Sequence, residues 1–168
     1  MDVIQFEKFL HEFERDIYSF CRHLTMDAEL SSELYQETAL AAFEMRSKID
    51  AGNNPKSLLL SIAAGKWKNM RRKNARRQAI APEVSQEKAL EVADKGSPED
   101  TAIRNQTNAA IKNALSEMKD KFRIPLILHY FDDMQTAEIG KVLKIPPGTV
   151  KSRLHKGRQL LKKSLELV

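Results

Sequence analysis

The sequence predicts an all-α protein made of two small helical domains joined by a flexible linker. Apolar residues recur at intervals of three and four almost throughout, and no stretch alternates with period two for long enough to make a strand. The longest lapse in the helical pattern lies between residues 76 and 97. A length of 168 residues gives room for one ordinary domain or two small ones, and 42% hydrophobic with 30% charged residues allows cores to be buried.

The first helix carries Phe6, Phe9, Leu10, Phe13, Ile17, Phe20, Cys21 and Leu24 on one face. Asp27 can cap a second helix, whose buried side is expected to include Leu30, Leu34, Ala41 and Met45. Asp50 to Asn54 is a break. Asn54 followed by Pro55 is a start signal, cap and then first helical position. A third helix through Leu58, Leu59, Ile62, Ala63, Trp67 and Met70 completes a first unit, residues 1–75. Pro82, Gly96 and scattered acids mark residues 76–103 as the linker. Near its end Ser97 can cap, Pro98 fits a first helical position and Asp100 can complete a capping box. The second unit, 104–168, takes its apolar face from Ile103, Thr107, Ala110, Ile111, Ala114, Leu115 and Met118. A helix over about Asp120 to Phe131 then follows, with Pro125 tolerated in a first turn, and two short helices come after it across a tight turn.

Charge is unevenly distributed around a net +5. Residues 1–45 hold ten acids and three bases, whereas 66–77 and 144–163 each hold seven Lys or Arg and no acid. Two single-sign blocks on separate units point to two contacts with a polyanion. A lone cysteine, Cys21, excludes an internal disulfide and a zinc site of the usual ligand count, and suits a reducing cytoplasm. The acidic start of the chain is unlike a secretory signal, and no apolar run approaches the ~18 residues that span a bilayer. His11, His23, His129 and His155 lack metal spacing, and no phosphate loop or nucleophile motif occurs. The expectation is therefore a protein without cofactor, metal or catalytic constellation.

The sharpest local signal lies in residues 129–158. Ala137, Ile139, Val142 and Leu143 give one short helix an expected buried face, and Gly140 lacks a side chain where a second helix must pack closely. Lys144, Ile145 and Pro146 make the turn, Pro147 starts the next helix, and Val150, Leu154 and Leu161 anchor it. Lys151, Ser152, His155 and Lys156 then face outward, the layout of a helix-turn-helix whose second helix enters the major groove. Pro147, Thr149, Arg153 and Arg158 complete the candidate DNA-facing set.

Tyr130, Phe131 and Asp132, then Glu138 and Ile139, then Gly148 through Leu154 closely resemble region 4 of the extracytoplasmic-function (group IV) sigma factors. Residues 32–38 (SELYQET) are similar to the region 2 motif of the same family, matching at Leu34, Gln36, Glu37 and Thr38, with Glu33 where the family prefers aspartate. The third helix matches at Ile62, Ala63 and the basic run Arg71, Arg72 and Lys73, and departs at Leu58, Ala64, Gly65 and Asn69.

The resemblance implies a sigma region 2 bundle of three to four helices and a sigma region 4 helix-turn-helix, the latter reading the promoter −35 element. It implies core RNA polymerase and promoter DNA as partners and an anti-sigma factor that hides the DNA face, with no membrane insertion. Glu33, Leu34, Gln36 and Glu37 would dock on polymerase; Glu33 and Glu37 share one face and can meet basic side chains. Asn53 and Asn54, in the loop that resembles the family's base-holding loop, can donate and accept at a base edge. Lys66, Lys68, Arg71, Arg72 and Lys73 would meet phosphates near the −10 element. Trp67 is expected in the core, since it lies on the apolar face. Two alternatives remain at this level: a stand-alone helix-turn-helix regulator, and a metal-dependent nuclease built on Glu33 and Glu37.

Overall fold

The computed structural model describes residues 1–80 and 98–166, with side chains from residue 105 onward in the second stretch. The described residues are helical and contain no strand. They fall into two units. The first holds α1 (Val3–Thr25), α2 (Ala28–Glu44) and α3 (Pro55–Ile80). The second holds α4 (Pro98–Glu117), α5 (Asp120–Tyr130), α7 (Pro147–Glu166) and most of α6 (Thr136–Leu143). The expected linker residues 81–97, with Pro82, Gly96 and the Ser97 cap, lie outside the described residues, as do the side chains of Asp100 and Ile103. The helix that precedes the expected linker continues through Ile80, five residues past the boundary expected at 75, and α4 has already begun at Pro98.

In the first unit α1 opens with a reciprocal cap. The Gln5 amide donates to Asp2 Oδ1 at 2.8 Å, and the Asp2 amide donates to Gln5 Oε1 at 2.9 Å, so two otherwise orphaned helix-end donors are satisfied. Phe6, Phe9, Ile17, Phe20, Cys21 and Leu24 are buried as the spacing predicts. Asp27 caps α2 by accepting from the Leu30 amide at 2.9 Å.

The buried face of α2 is not the expected one. Ser31, Leu34, Thr38 and Ala42 are buried, while Leu30, Ala41 and Met45 are only half-buried. The polar members are satisfied locally: Thr38 donates to the Leu34 carbonyl at 2.7 Å, and the Ser31 and Thr25 hydroxyls share a hydrogen bond at 2.6 Å. α3 contributes Leu59, Leu60, Ala63, Ala64 and Trp67 to the core, after which residues 71–80 are exposed. Its last three turns therefore present their cations on exposed surface, several of them along a groove against α2.

In the second unit α5 is buried on every side between Arg123 and Leu128. Arg123, 4% exposed, donates to Asp120 Oδ1 at 2.7 Å, which compensates a charge withdrawn from water. Pro125 is not in the first turn, as expected from sequence, but is the sixth residue of α5. There it cannot donate to the Lys121 carbonyl, a defect that costs an isolated helix about 3 kcal/mol and that burial of the surrounding residues offsets. α6 buries Ile139 and Val142, but Ala137 is exposed rather than buried, and so is Thr107 of α4. α7 packs closely on α5 at Gly157, where a Cβ would lie 2.9 Å from Leu126 Cδ1.

Candidate nucleic-acid interface

The α6–α7 turn is built by backbone hydrogen bonds. Lys144 adopts a left-handed φ of 56°, and the Ile145 amide donates to the Gly140 carbonyl at 3.0 Å, which closes α6 in a Schellman cap. A Cβ on Gly140 would meet the Ile145 carbonyl oxygen at 2.7 Å, so only glycine permits this turn. The close approach is to the turn's backbone rather than to the packed face of the next helix. Pro147 occupies the first position of α7, where its missing N–H costs nothing.

Val150 and Leu154 are buried, and their burial fixes the rotation of α7. Lys151, Ser152, His155 and Lys156 consequently face solvent on one side, as does Pro147, while Thr149 and Arg153 are half-buried. The Ser152 hydroxyl donates back to the Thr149 carbonyl at 3.1 Å. Arg158 is exposed but held: its Nε donates to the Tyr130 hydroxyl at 2.6 Å, and its guanidinium carbon lies 5.7 Å from that ring. Gln159 and Lys162 extend the same outward strip. Sequence reasoning passed over both, although their spacing of four and seven from His155 was a usable signal.

In the first unit, Glu33, Gln36 and Glu37 are exposed along one side of α2. Leu34 does not belong with them. It is fully buried in the three-helix core, so it cannot touch a partner, and its match to the family motif reflects packing. Leu40 stands on the exposed side instead. It is 54% exposed and follows Glu33, Gln36 and Glu37 at helical spacing, giving the acidic face an apolar centre that went unnoticed in the sequence.

α2 and α3 enclose a groove of about 390 Å³, lined in part by Glu33, Glu37, Lys66, Asn69 and Lys73. Across it Lys66 Nζ lies 3.8 Å from Glu37 Oε2. Two residues expected to serve different partners thus meet directly. Lys68, Arg71, Arg72 and Lys73 are exposed on α3, with the Arg71 guanidinium 5.6 Å from the Trp67 ring. Trp67 itself is 7% exposed and belongs to the core.

The loop before α3 divides its two asparagines. Asn54 has a φ of 48° and accepts from the Ser57 amide at 3.4 Å, so it is occupied with capping. Asn53 is exposed, in a turn where its amide donates to the Asp50 carbonyl at 3.2 Å.

Titration elsewhere is structural. Burial pushes the Cys21 thiol up to about 12, and burial, then the charges of Glu14 and Cys21, raises Tyr35. Among the described residues no three His, Cys, Asp or Glu side chains gather to hold a metal ion, and no helix is long and apolar enough to cross a membrane.

Family models match both units: "Sigma-70 region 2" over residues 9–77 and "Sigma-70, region 4" over residues 108–161. The ECF RNA polymerase sigma factor SigW of Bacillus subtilis is 28% identical over 158 residues, 91% of this chain and 84% of its own length. SigX of the same organism is 25% identical over 97% of this chain and 84% of its own. Among solved structures, the sigma factor RpoE from Bartonella quintana, in complex with the anti-sigma factor NepR, superposes with a TM-score of 0.80 at 22% identity, covering 98% of each chain. CnrH, in complex with the cytosolic domain of CnrY, gives 0.69 at 16% identity, covering 99% of this chain and 90% of its own. At these identities the two structures speak for the fold alone.

Proposed function

The chain belongs to the sigma-70 family of RNA polymerase sigma factors, in its extracytoplasmic-function branch, and we propose that its two units divide the work of finding and opening a promoter between the surfaces described above. Glu33, Gln36, Glu37 and Leu40 of α2 dock on a basic surface of core polymerase. Lys66, Lys68, Arg71, Arg72 and Lys73 of α3 hold phosphates near the −10 element, and Asn53 offers its exposed side-chain amide to a base edge. α7 enters the major groove at the −35 element, with Lys151, Ser152, His155 and Lys156 toward the bases and Pro147, Thr149, Arg153 and Arg158 at the margins.

The single observation that carries this reading is the sign separation across two adjacent helices. α2 exposes carboxylates around an apolar residue, and the charges that α3 exposes beyond Lys66 are all positive. A basic regulator acting alone has no use for the first face. Two carboxylates, one of them beside a lysine, are a poor magnesium site, which disfavours a nuclease. The segment around 76–103 joins the units, and once one unit binds, the second contact becomes intramolecular, so two weak surfaces can act as one strong one.

The chain performs no chemical step in this scheme. Polymerase supplies the active site, in the cytoplasm where polymerase works. The family resemblance of the sequence extends the scheme to an anti-sigma partner that covers the DNA-facing surfaces, a kind of partner that RpoE has in NepR. Titration of labelled full-length protein with core polymerase tests the reading. Saturable binding that Glu37→Lys and Leu40→Asp both weaken is the expected result, and binding to duplex DNA without any binding to core would move the assignment to a stand-alone regulator.

A further inference from the structure

α3 carries eight Lys or Arg and no acid in its 26 residues, so its cations find counter-charge only outside their own helix. Lys56 takes Asp16 of α1, with Nζ 3.3 Å from Oδ2. Lys66 takes Glu37 of α2, with Nζ 3.8 Å from Oε2. Lys68, Arg71, Arg72 and Lys73 are exposed, whereas Lys66 is half-buried in the groove against α2.

That groove has one wall of carboxylates and one of cations. Glu33 and Glu37 stand one turn apart on α2, and Lys73 and Arg77 follow Lys66 along α3 at spacings of seven and four. Both members of the Glu37–Lys66 pair stay within reach of an outside partner: the lysine side chain is 35% exposed and the glutamate 49%. A pair at that exposure is held weakly, so either member can be exchanged for a better one. The two residues also belong to different surfaces, one for polymerase and one for DNA. A basic side chain brought to Glu37 repels Lys66, and a phosphate brought to Lys66 repels Glu37.

We propose that the Glu37–Lys66 pair is an internal contact that both partners compete to break, so that core polymerase docking at Glu37 releases Lys66 to a DNA phosphate, and phosphate binding releases Glu37 to polymerase. The inference deepens the docking and phosphate-holding roles given above and rests on them. Glu37 acts on DNA only through Lys66 and is therefore a positioning residue for that contact. Coupling of this kind is reciprocal: whatever factor core adds to DNA binding through the pair, DNA adds to core binding.

A double-mutant cycle tests it. Full-length wild type, Glu37→Gln, Lys66→Ala and the double variant are titrated against a labelled DNA oligonucleotide, alone and with core polymerase at a concentration that saturates every variant. In the free chain Glu37→Gln should raise DNA affinity by about two- to fivefold at low salt, the worth of a half-exposed pair, and the gain should shrink as salt rises. In the Lys66→Ala background the same change should give no gain. With core bound it should also give none, because polymerase already occupies Glu37. An equal gain in the Lys66→Ala background would mean that any lost negative charge helps DNA binding, and would overturn the proposal. So would a gain that persists in full with core bound, or no gain in the free chain. If the wild type does not bind core at all, the docking reading itself falls and takes this inference with it.

Discussion

Arg158 donates from Nε to the Tyr130 hydroxyl at 2.6 Å, linking the end of α5 to the flank of α7 across 28 residues of sequence. Both side chains are exposed, yet the guanidinium is held above the ring rather than sweeping through solvent. Its remaining N–H groups are left to meet a phosphate beside the major groove. Tyr130→Phe should weaken −35 duplex binding by about two- to tenfold, the worth of one hydrogen bond, equally for all sequences. Binding measured on matched and mutated −35 duplexes checks this; a loss confined to one base position would mean that Arg158 reads a base.

Lys151 and Lys156 should separate by the same criterion. Truncating a side chain that reads a base costs about 1–3 kcal/mol at one position of the site, whereas truncating a phosphate contact weakens every sequence and lowers the salt slope by about one. Lys151→Ala and Lys156→Ala, assayed on a −35 duplex series at several salt concentrations, give that answer residue by residue.

Leu34 and Leu40 lie six residues apart on α2 and should behave oppositely. Leu34 is fully buried, so Leu34→Ala should destabilise the protein by about 2–5 kcal/mol through loss of packing. Leu40 is 54% exposed, so Leu40→Ala should leave thermal unfolding nearly unchanged while weakening core binding. Unfolding curves and core titrations on the same two variants check both halves.

Gly140 and Gly157 differ in what an added methyl would strike. At Gly157 it meets the end of the Leu126 side chain, which can move; at Gly140 it meets the Ile145 carbonyl oxygen, which belongs to the turn itself. Gly157→Ala should cost about 1–3 kcal/mol by overpacking, and Gly140→Ala more, with −35 binding lost in proportion as α7 is displaced. Thermal unfolding ranks the pair.

Cys21 should be inert in the native state. Its thiol is pushed up to about 12 by burial, so the protein holds it neutral where the unfolded chain, near 9.0, begins to ionise. Stability from this group is complete below pH 9.0 and is lost as pH rises toward about 12. Alkylation at pH 8 should be negligible until denaturant is added, and Cys21→Ala should flatten the alkaline decline in stability.

Most of the architecture was legible because helical spacing and caps are local. Asp27, Asn54 and Pro147 begin helices where their chemistry says they should, and the outward set of α7 follows from Val150 and Leu154. The register of α2 was not legible. Its buried face is lined by Ser31 and Thr38, whose hydroxyls bond within the unit, so hydrophobicity pointed to the wrong residues and hid Leu40. Pro125 was misplaced for a related reason, since only the packing around α5 tolerates a proline at the sixth position. Tyr130 with Arg158, and Gly157 with Leu126, depend on how α5 meets α7, which no local pattern encodes.

Run-off transcription with purified core polymerase on fragmented genomic DNA, with and without this chain, tests the central claim most directly. The account predicts new, discrete start sites that share two spaced motifs, lost when the cations of α3 or the outward residues of α7 are reversed in charge. A chain that binds core yet yields no new starts on DNA from its own genome would contradict it.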